Sequence, residues 1–266
     1  MCLILFAYRA HPTLPLVLAA NRDEFFARPT LPAATWTESA QVVGGRDLDK
    51  GGSWLAVSAA GRLAAVTNFR DGARRKTGTQ SRGLLVKDFV LDEQAPLPFL
   101  ENIHATREEY DGFNLLLAAH GSLYHYANVS GVISEVTPGV HGLSNDLLDT
   151  PWPKVERGKL QLERLLAEPR DALVEGLFRI LQDTHVPADE ALPSTGVSLE
   201  WERLLGSAFI STSAYGTRAS TVVLVDNAGA VTFIERNFAP GGVLSEARRV
   251  DLPRTGFVRP PAAISS

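Results

Sequence analysis

Strand-forming runs in this chain arrive in adjacent pairs, and helix-forming runs also arrive in pairs. The order is hairpins, two helices, hairpins, two helices and a final hairpin. A parallel sheet needs a crossover, usually one helix, between successive strands, whereas paired strands joined by short turns zip up antiparallel. The order therefore predicts antiparallel sheets covered by helices. Two such sheets stacked face to face, with helices on both outer faces, make an α+β fold of four layers, α/β/β/α. A length of 266 residues suits one large domain, so residues 1–266 are read as a single domain with a loosely structured tail from about 253.

Turn chemistry sets the boundaries. Residues 2–9 and Leu16–Ala20 flank His11-Pro12 and Leu14-Pro15, so 2–20 reads as a hairpin. It delivers Asn21-Arg22-Asp23-Glu24 at the end of its second strand, beside the start of the first. Residues 25–41, with Pro29 and Pro32, read as a surface loop. Trp54–Val57 and Leu63–Thr67 pair through Ala60-Gly61 and lead into Asn68-Phe69-Arg70-Asp71. A basic loop, Arg74-Arg75-Lys76-Thr77-Gly78, could hold an anion or be merely solvated, and Ser81 is placed to cap a helix. Helices are expected near 82–92 and 96–107. Strands follow at Phe113–Ala119, Leu123–Asn128, Val132–Val136 and Val140–Leu143. Helices come next at 154–167 and 171–183, the second with Leu173, Leu177, Ile180 and Leu181 on one face. Residues 184–198 form a loop long enough for a lid or a substrate loop. A short helix near 199–205, a strand at 207–211 and a hairpin of 218–226 with 230–236 complete the pattern.

Several function classes drop out. A net charge of −4 provides no broad basic field for nucleic acid. Arg9, His11 and Arg22 interrupt the N-terminal apolar run far short of the about 20 residues of a membrane span. With one cysteine, no internal disulfide can form, in keeping with a reducing compartment; the expectation is a cytoplasmic protein with no integral membrane segment. No G-x-G-x-x-G or Walker run occurs, and no histidine pair has metal-ligand spacing; His120 and His125 fall on either side of a turn. The absence of a Cys-x-x-Cys-His run excludes covalently attached haem. No metal or cofactor is expected, and the partner is a small-molecule substrate or ligand.

The lone cysteine, Cys2, lies one peptide bond from the start. Methionine aminopeptidases remove Met1 readily when the next residue is small, as cysteine is. The new terminus would carry a thiol and an α-amine of pKa about 7.7–8.0 on one residue, a nucleophile with its own base. A small buried apolar side chain is the other reading of the same position.

Cys2, Asn21-Arg22-Asp23-Glu24 and Thr67-Asn68-Phe69-Arg70 together resemble the NRDE family, also called Transport and Golgi organisation protein 2, over residues 1 to about 240. Through the same motifs the chain is similar, more distantly, to N-terminal-nucleophile hydrolases of the penicillin V acylase and bile-salt hydrolase type. That resemblance implies the α/β/β/α fold and cleavage of linear, non-peptide C–N amide bonds. It also implies roles: Cys2 as nucleophile, and Arg22 with Asp23 as the pair orienting its thiol and amine, with Asp23 or Glu24 the functional carboxylate. Asn145 and Asn68 would be oxyanion donors, and Arg218 the late arginine near the nucleophile. The chemistry suits these residue types. A guanidinium favours thiolate, and an asparagine amide donating to an oxyanion contributes about 10²–10³ in rate. Each also has a plain structural reading as an ion pair, a turn residue or a surface charge. Two functions stay open: a cysteine amidohydrolase working through a Cys2 thioester, or a non-catalytic binding or trafficking protein handling haem or lipid.

Overall fold

The computed structural model describes residues 2–73 and 78–253. Six strands form the first sheet, in the order β10-β1-β2-β11-β12-β13: β1 (Cys2–Tyr8), β2 (Leu16–Phe25), β10 (Gly139–Leu143), β11 (Tyr215–Val225), β12 (Val231–Ala239) and β13 (Val243–Leu252). Seven form the second, in chain order: β3 (Thr30–Thr35), β4 (Val42–Asp47), β5 (Leu55–Ser58), β6 (Leu63–Asn68), β7 (Phe113–Ala119), β8 (Ser122–Ala127) and β9 (Val132–Glu135). Every pairing within the two sheets is antiparallel. Among the described residues five α-helices complete the fold: α1 (Arg82–Leu91), α2 (Pro96–Ala105), α3 (Pro153–Leu165), α4 (Arg170–Leu181) and α5 (Leu199–Gly206).

Three apolar clusters define the four layers. Ile4, Phe6, Leu18, Val223 and Phe233 of the first sheet meet Val43, Leu55, Leu63 and Leu116 of the second. The opposite faces of β1, β2 and β11, through Leu3, Leu5, Val17 and Val222, pack on Val155, Leu162, Leu173 and Leu177 of α3 and α4. On the far side, Ala64, Leu115, Leu117 and Tyr126 pack on Leu85, Phe89, Phe99 and Leu100 of α1 and α2. Side chains on a strand alternate in direction, so a sheet buried on both faces needs uninterrupted apolar runs. Leu3–Ala7 and Leu115–Ala119 are such runs. The β7–β8 hairpin turns through His120 (φ 52°) and Gly121 (φ 80°), two successive left-handed residues of the kind that match strand twist.

The expected fold is the observed one, with local corrections. Asn21–Glu24 do not follow β2 but lie inside it, because β11 pairs with β2 out to Phe25. The expected loop at 25–41 contains β3. Its Pro32 sits at a register shift on an edge strand, where the missing N–H costs nothing. No strand forms at 207–211 beyond a single bridge, Ser211 to Gly216, since Phe209 N–H donates to Asp183 O and Ile210 O accepts from Thr217 N–H. Residues 243–252, unread in the sequence, form β13, an edge strand whose Arg248 and Arg249 suit an unpaired margin. The remaining helices end within two residues of expectation. The basic segment 74–77 and the tail from 254 lie outside the described residues.

Candidate active site

Register and alternation together build the site. Cys2 pairs directly with Arg22 across β1 and β2. Ile4, Phe6 and Tyr8 point between the sheets, so period two sends Cys2 to the same side, at the open end of the interlayer. Leu18 and Ala20 point there too, which brings Arg22 and Glu24 with them. Asn21 and Asp23 follow Val17 and Ala19 toward the helix layer. The four-residue run is thus divided between two faces. Asn21 is structural: its Nδ2 donates to Leu181 O and Ala208 O, both at 2.7 Å, and its Oδ1 accepts from Ser220 Oγ at 2.6 Å.

Cys2 opens onto a cavity of about 490 Å³ bounded by Arg22, Asp23, Glu24, Arg28, Trp54, Asn68, Asp111 and the segment Gly78–Leu84. The wall is largely polar and charged, a surface for a polar ligand and not the apolar acyl pocket common among small-molecule sites. The Arg22 guanidinium lies 4.3 Å over the Trp54 ring and donates to Thr30 Oγ1 at 3.3 Å. Arg28 grips Asp47 through two nitrogens, at 2.6 and 3.2 Å.

Asn68 lines this cavity, but Asn145 does not. Asn145 is fully buried behind Asn68, where its Nδ2 donates to Asn68 O at 2.8 Å and its O accepts from Arg70 N–H at 2.7 Å. Its neighbour Ser144 donates to Cys2 O at 3.2 Å, so this loop buttresses both Cys2 and Asn68. Arg218 lies apart, at the β-bulge where the β11–β2 register shifts between Thr217 and Ala219. Its Nη1 donates to Phe25 O and Arg28 O, fastening the chain after β2. It lines an adjoining cavity of about 120 Å³ whose wall Arg22 shares. The long 184–198 loop contributes nothing to the cavity around Cys2. Instead Thr195 binds Glu202 and accepts from Gly72 N–H.

Electrostatics turn on burial. It pushes the Cys2 thiol up; Asp23 adds to this, while Arg22 and the Asp23 main-chain amide oppose it. The expected preference for thiolate is therefore outweighed, and a base is needed to take the proton. Burial likewise raises Asp23, countered by Lys154, by Arg22 and by the Thr217 hydroxyl that donates to Asp23 Oδ1 at 2.7 Å. Lys154 is itself buried at the first turn of α3, donating to Leu205 O at 2.8 Å, and its pKa is lowered to about 8 by burial. Tyr215 closes this under-layer by donating to Asp23 O at 3.3 Å.

Sequence reading missed Lys154, Thr217, Trp54 and Arg82. Lys154 is about 130 residues from Asp23 in the chain and no local pattern links them. Arg82 did leave a signal: a cation at the first position of a helix opposes the helix dipole. The expected cap, Ser81, stands at the N-cap position without a side-chain hydrogen bond and lines the cavity. His125 is a packed core histidine, its Nε2 3.0 Å from Asn114 Oδ1 and its pKa pushed down to about 4 by burial.

The sequence profile of the family described as Transport and Golgi organisation 2 matches residues 1–240. The chain is 38% identical over 259 residues to the Transport and Golgi organization protein 2 homolog of Bos taurus, covering 89% of this chain and 93% of that protein. Among solved structures it is similar to a Caenorhabditis elegans N-acylethanolamine-hydrolyzing acid amidase ortholog, at TM-score 0.44 and 11% identity over 84% of this chain and 92% of that one. It is also similar to the C2A mutant of conjugated bile acid hydrolase from Clostridium perfringens, at TM-score 0.45 and 8% identity over 95% and 92%.

Proposed function

The chain belongs to the Transport and Golgi organisation 2 family, and from that premise we propose that it is a cysteine N-terminal-nucleophile hydrolase of linear, non-peptide C–N amide bonds. The observation that carries this reading is the position of Cys2: opposite Arg22 at the first register position of β1, with its side chain on the wall of the 490 Å³ cavity.

The reading requires removal of Met1, which makes the α-amine part of Cys2. Sγ attacks the amide carbonyl while its proton passes to that amine. Burial disfavours the thiolate, so the amine serves as the base that takes the thiol proton. The tetrahedral oxyanion takes a hydrogen bond from the Asn68 side chain, and Asn145 holds Asn68 in place through its carbonyl. Collapse breaks the C–N bond, and the ammonium returns its proton to the leaving amine. Water then attacks the thioester, releasing the acid and restoring the thiol. Asp23, held by Thr217, orients the amine and stabilises its protonated form. Arg22 supports negative charge on sulfur, and Arg218 acts at one remove by fixing the chain that carries Glu24 and Arg28.

One observation favours the second reading, a binding protein for haem or lipid with Cys2 as a ligand. The Asn145 amide is committed to a main-chain carbonyl, which leaves one asparagine side chain facing the cavity. The test begins with the intact mass of native protein, before and after a limiting thiol alkylator, followed by turnover of an amide panel. A chain lacking Met1, alkylated at Cys2, with turnover abolished in Cys2→Ala, upholds the hydrolase. Retention of Met1, or an inert Cys2, sinks it; a haem spectral shift lost in Cys2→Ala would then establish the binding protein.

A further inference from the structure

The turn that buttresses Cys2 and Asn68 is closed at its base by a group of charged side chains outside the cavity. Residues 144–148 leave the end of β10, and the chain returns to Gly142 at Asp149. Asp149 N–H donates to Gly142 O at 2.8 Å, and Gly142 N–H donates to Asp149 Oδ1 at 2.9 Å. Asp149 has a left-handed backbone (φ 59°), which a residue other than glycine keeps only when its surroundings fix it. Three groups meet its carboxylate: that Gly142 amide, Lys159 Nζ at 2.9 Å and the His141 ring at 2.7 Å. From the turn, Ser144 Oγ donates to Cys2 O at 3.2 Å and Asn145 Nδ2 to Asn68 O at 2.8 Å. Asn145 O also accepts from Arg70 N–H at 2.7 Å. Whatever fixes Asp149 therefore also fixes the wall behind the proposed nucleophile.

Histidine is the side chain in this group whose charge changes near neutral pH. His141 Nδ1 faces Asp149 Oδ2 at 2.7 Å, and its Nε2 faces Thr137 O at 2.9 Å. A main-chain carbonyl can only accept. A carboxylate already taking hydrogen bonds from Lys159 and Gly142 is ionised, so it accepts too. Both ring nitrogens therefore donate, and only the imidazolium has two N–H groups. The side chain is 12% exposed and the ring stacks on Phe6, centroids 5.2 Å apart, which leaves it little room to turn away. A neutral ring would set a lone pair against one of the two acceptors and take charge assistance from the bond to Asp149. That bond raises the pKa of His141, so the imidazolium persists above its ordinary range. Three other titratable groups face the pair. Lys159, on α3, binds Asp149 beside Glu156 and opposes the imidazolium. His125, on β8, lies within electrostatic reach of Asp149 from the second sheet, and with a pKa of about 4 it is neutral near pH 7.

We propose that His141 is a positioning residue of the site. As an imidazolium it fixes Asp149 and the 144–148 turn, holding Ser144 on Cys2 and Asn145 on Asn68, and on losing its proton it loosens both. This rests on the hydrolase reading only for the reaction that the positioning serves. Lys159 and the Gly142 amide keep hold of Asp149 when the proton leaves, so the turn loosens without unfolding and the effect is several-fold.

The experiment compares the full wild-type chain with His141→Gln between about pH 5.5 and 9. Neither readout needs turnover: hydrogen-exchange protection of the 144–148 and Arg70 amides, and the rate of Cys2 alkylation by iodoacetamide. Exchange is expressed as protection factors and alkylation as the ratio of wild type to variant, because intrinsic exchange and thiol ionisation both vary with pH. At the acidic end wild type is expected to be about fivefold better protected than the variant, the scale of charge assistance in one hydrogen bond. The alkylation rates should differ there by a similar factor, and both ratios should approach one at the alkaline end. Asp149→Asn, whose new side chain tolerates the left-handed backbone, should give protection that no longer changes with pH, and it serves if His141→Gln does not fold. Ratios that stay constant with pH would leave His141 a packing role alone and overturn the proposal, as would equal alkylation at every pH. Wild-type protein that turns over no amide would instead sink the hydrolase reading and leave the exchange result standing.

Discussion

Removing Glu202 tests whether the back wall of the site depends on a buried charge pair. Arg70 and Glu202 approach to 3.1 Å with side chains only 3% and 5% exposed. They meet as a contact ion pair, not as an aligned hydrogen bond, since neither Arg70 Nη1 nor Glu202 Oε2 gains a hydrogen-bond partner from the contact. Glu202 Oε1 also accepts from Thr195 N–H at 2.8 Å and Thr195 Oγ1 at 2.7 Å, clamping the 184–198 loop. The Arg70 guanidinium stacks 4.3 Å from Trp152, and its main-chain N–H holds Asn145. Glu202→Ala orphans a buried guanidinium, at about 3–5 kcal/mol, and cuts two hydrogen bonds worth about 1 kcal/mol each. Allowing for partial relaxation, the loss is about 4–6 kcal/mol, a melting-point fall on the order of 10–20 °C for a chain of this size. Glu202→Gln keeps an acceptor for Thr195 and should cost about half as much. The decisive assay is a double-mutant cycle by denaturant unfolding with Arg70→Met and Glu202→Leu. An apolar pair in place of a buried ion pair is often near neutral, so the double variant should lose less than the sum of the singles by 2 kcal/mol or more, roughly. Additive losses would refute the reasoning, because packing alone would then hold this wall.

Three further outcomes are expected. Lys154 is lowered to about 8, below its unfolded value, so the folded state gives up this proton first. Its contribution is complete above the unfolded pKa and is lost as pH falls through about 8; wild-type unfolding free energy should therefore rise between about pH 8 and 10, and Lys154→Met should flatten that rise in urea melts. His141 is raised by its hydrogen bond to Asp149, whose own pKa lies at about 2. The histidine's contribution is present below its unfolded pKa and lost as pH rises through the folded one, so His141→Gln should destabilise more at acidic than at alkaline pH, measured by paired thermal melts. Gly52→Ala should set a Cβ 2.3 Å from Gly83 C and 2.5 Å from Gly83 O, forcing α1 away from the Ser53 segment. A cost of about 1–3 kcal/mol is expected in denaturant melts, and unchanged stability would show that α1 can shift away from the Ser53 segment without loss.

How much was legible in advance follows from the range of each signal. Alternation and turn residues act over a few positions, so Cys2–Tyr8, the 113–127 hairpin and the apolar face of α4 declared themselves, and with them the four layers. The neighbourhood of Cys2 and Arg22 could also be read, because one hairpin fixes both. Pairing partners that come from far along the chain left no such trace. Only the arrival of β11 shows that β2 continues to Phe25, and only a register shift against β4 lets Pro32 lie in a strand.

Sequence alone therefore determined the hairpins, the antiparallel layering and the pairing of a lone cysteine with a charged strand end. Tertiary structure decided which face each charge serves: Asn21 and Asp23 toward the helices, Arg22 toward Trp54, Asn145 behind Asn68, and Arg218 at a bulge outside the cavity. It alone brought Arg82 and Lys154 within electrostatic reach of Cys2. The physical reason is that secondary structure is set by neighbours in the chain, whereas a site's charge balance is set by groups that only packing brings together.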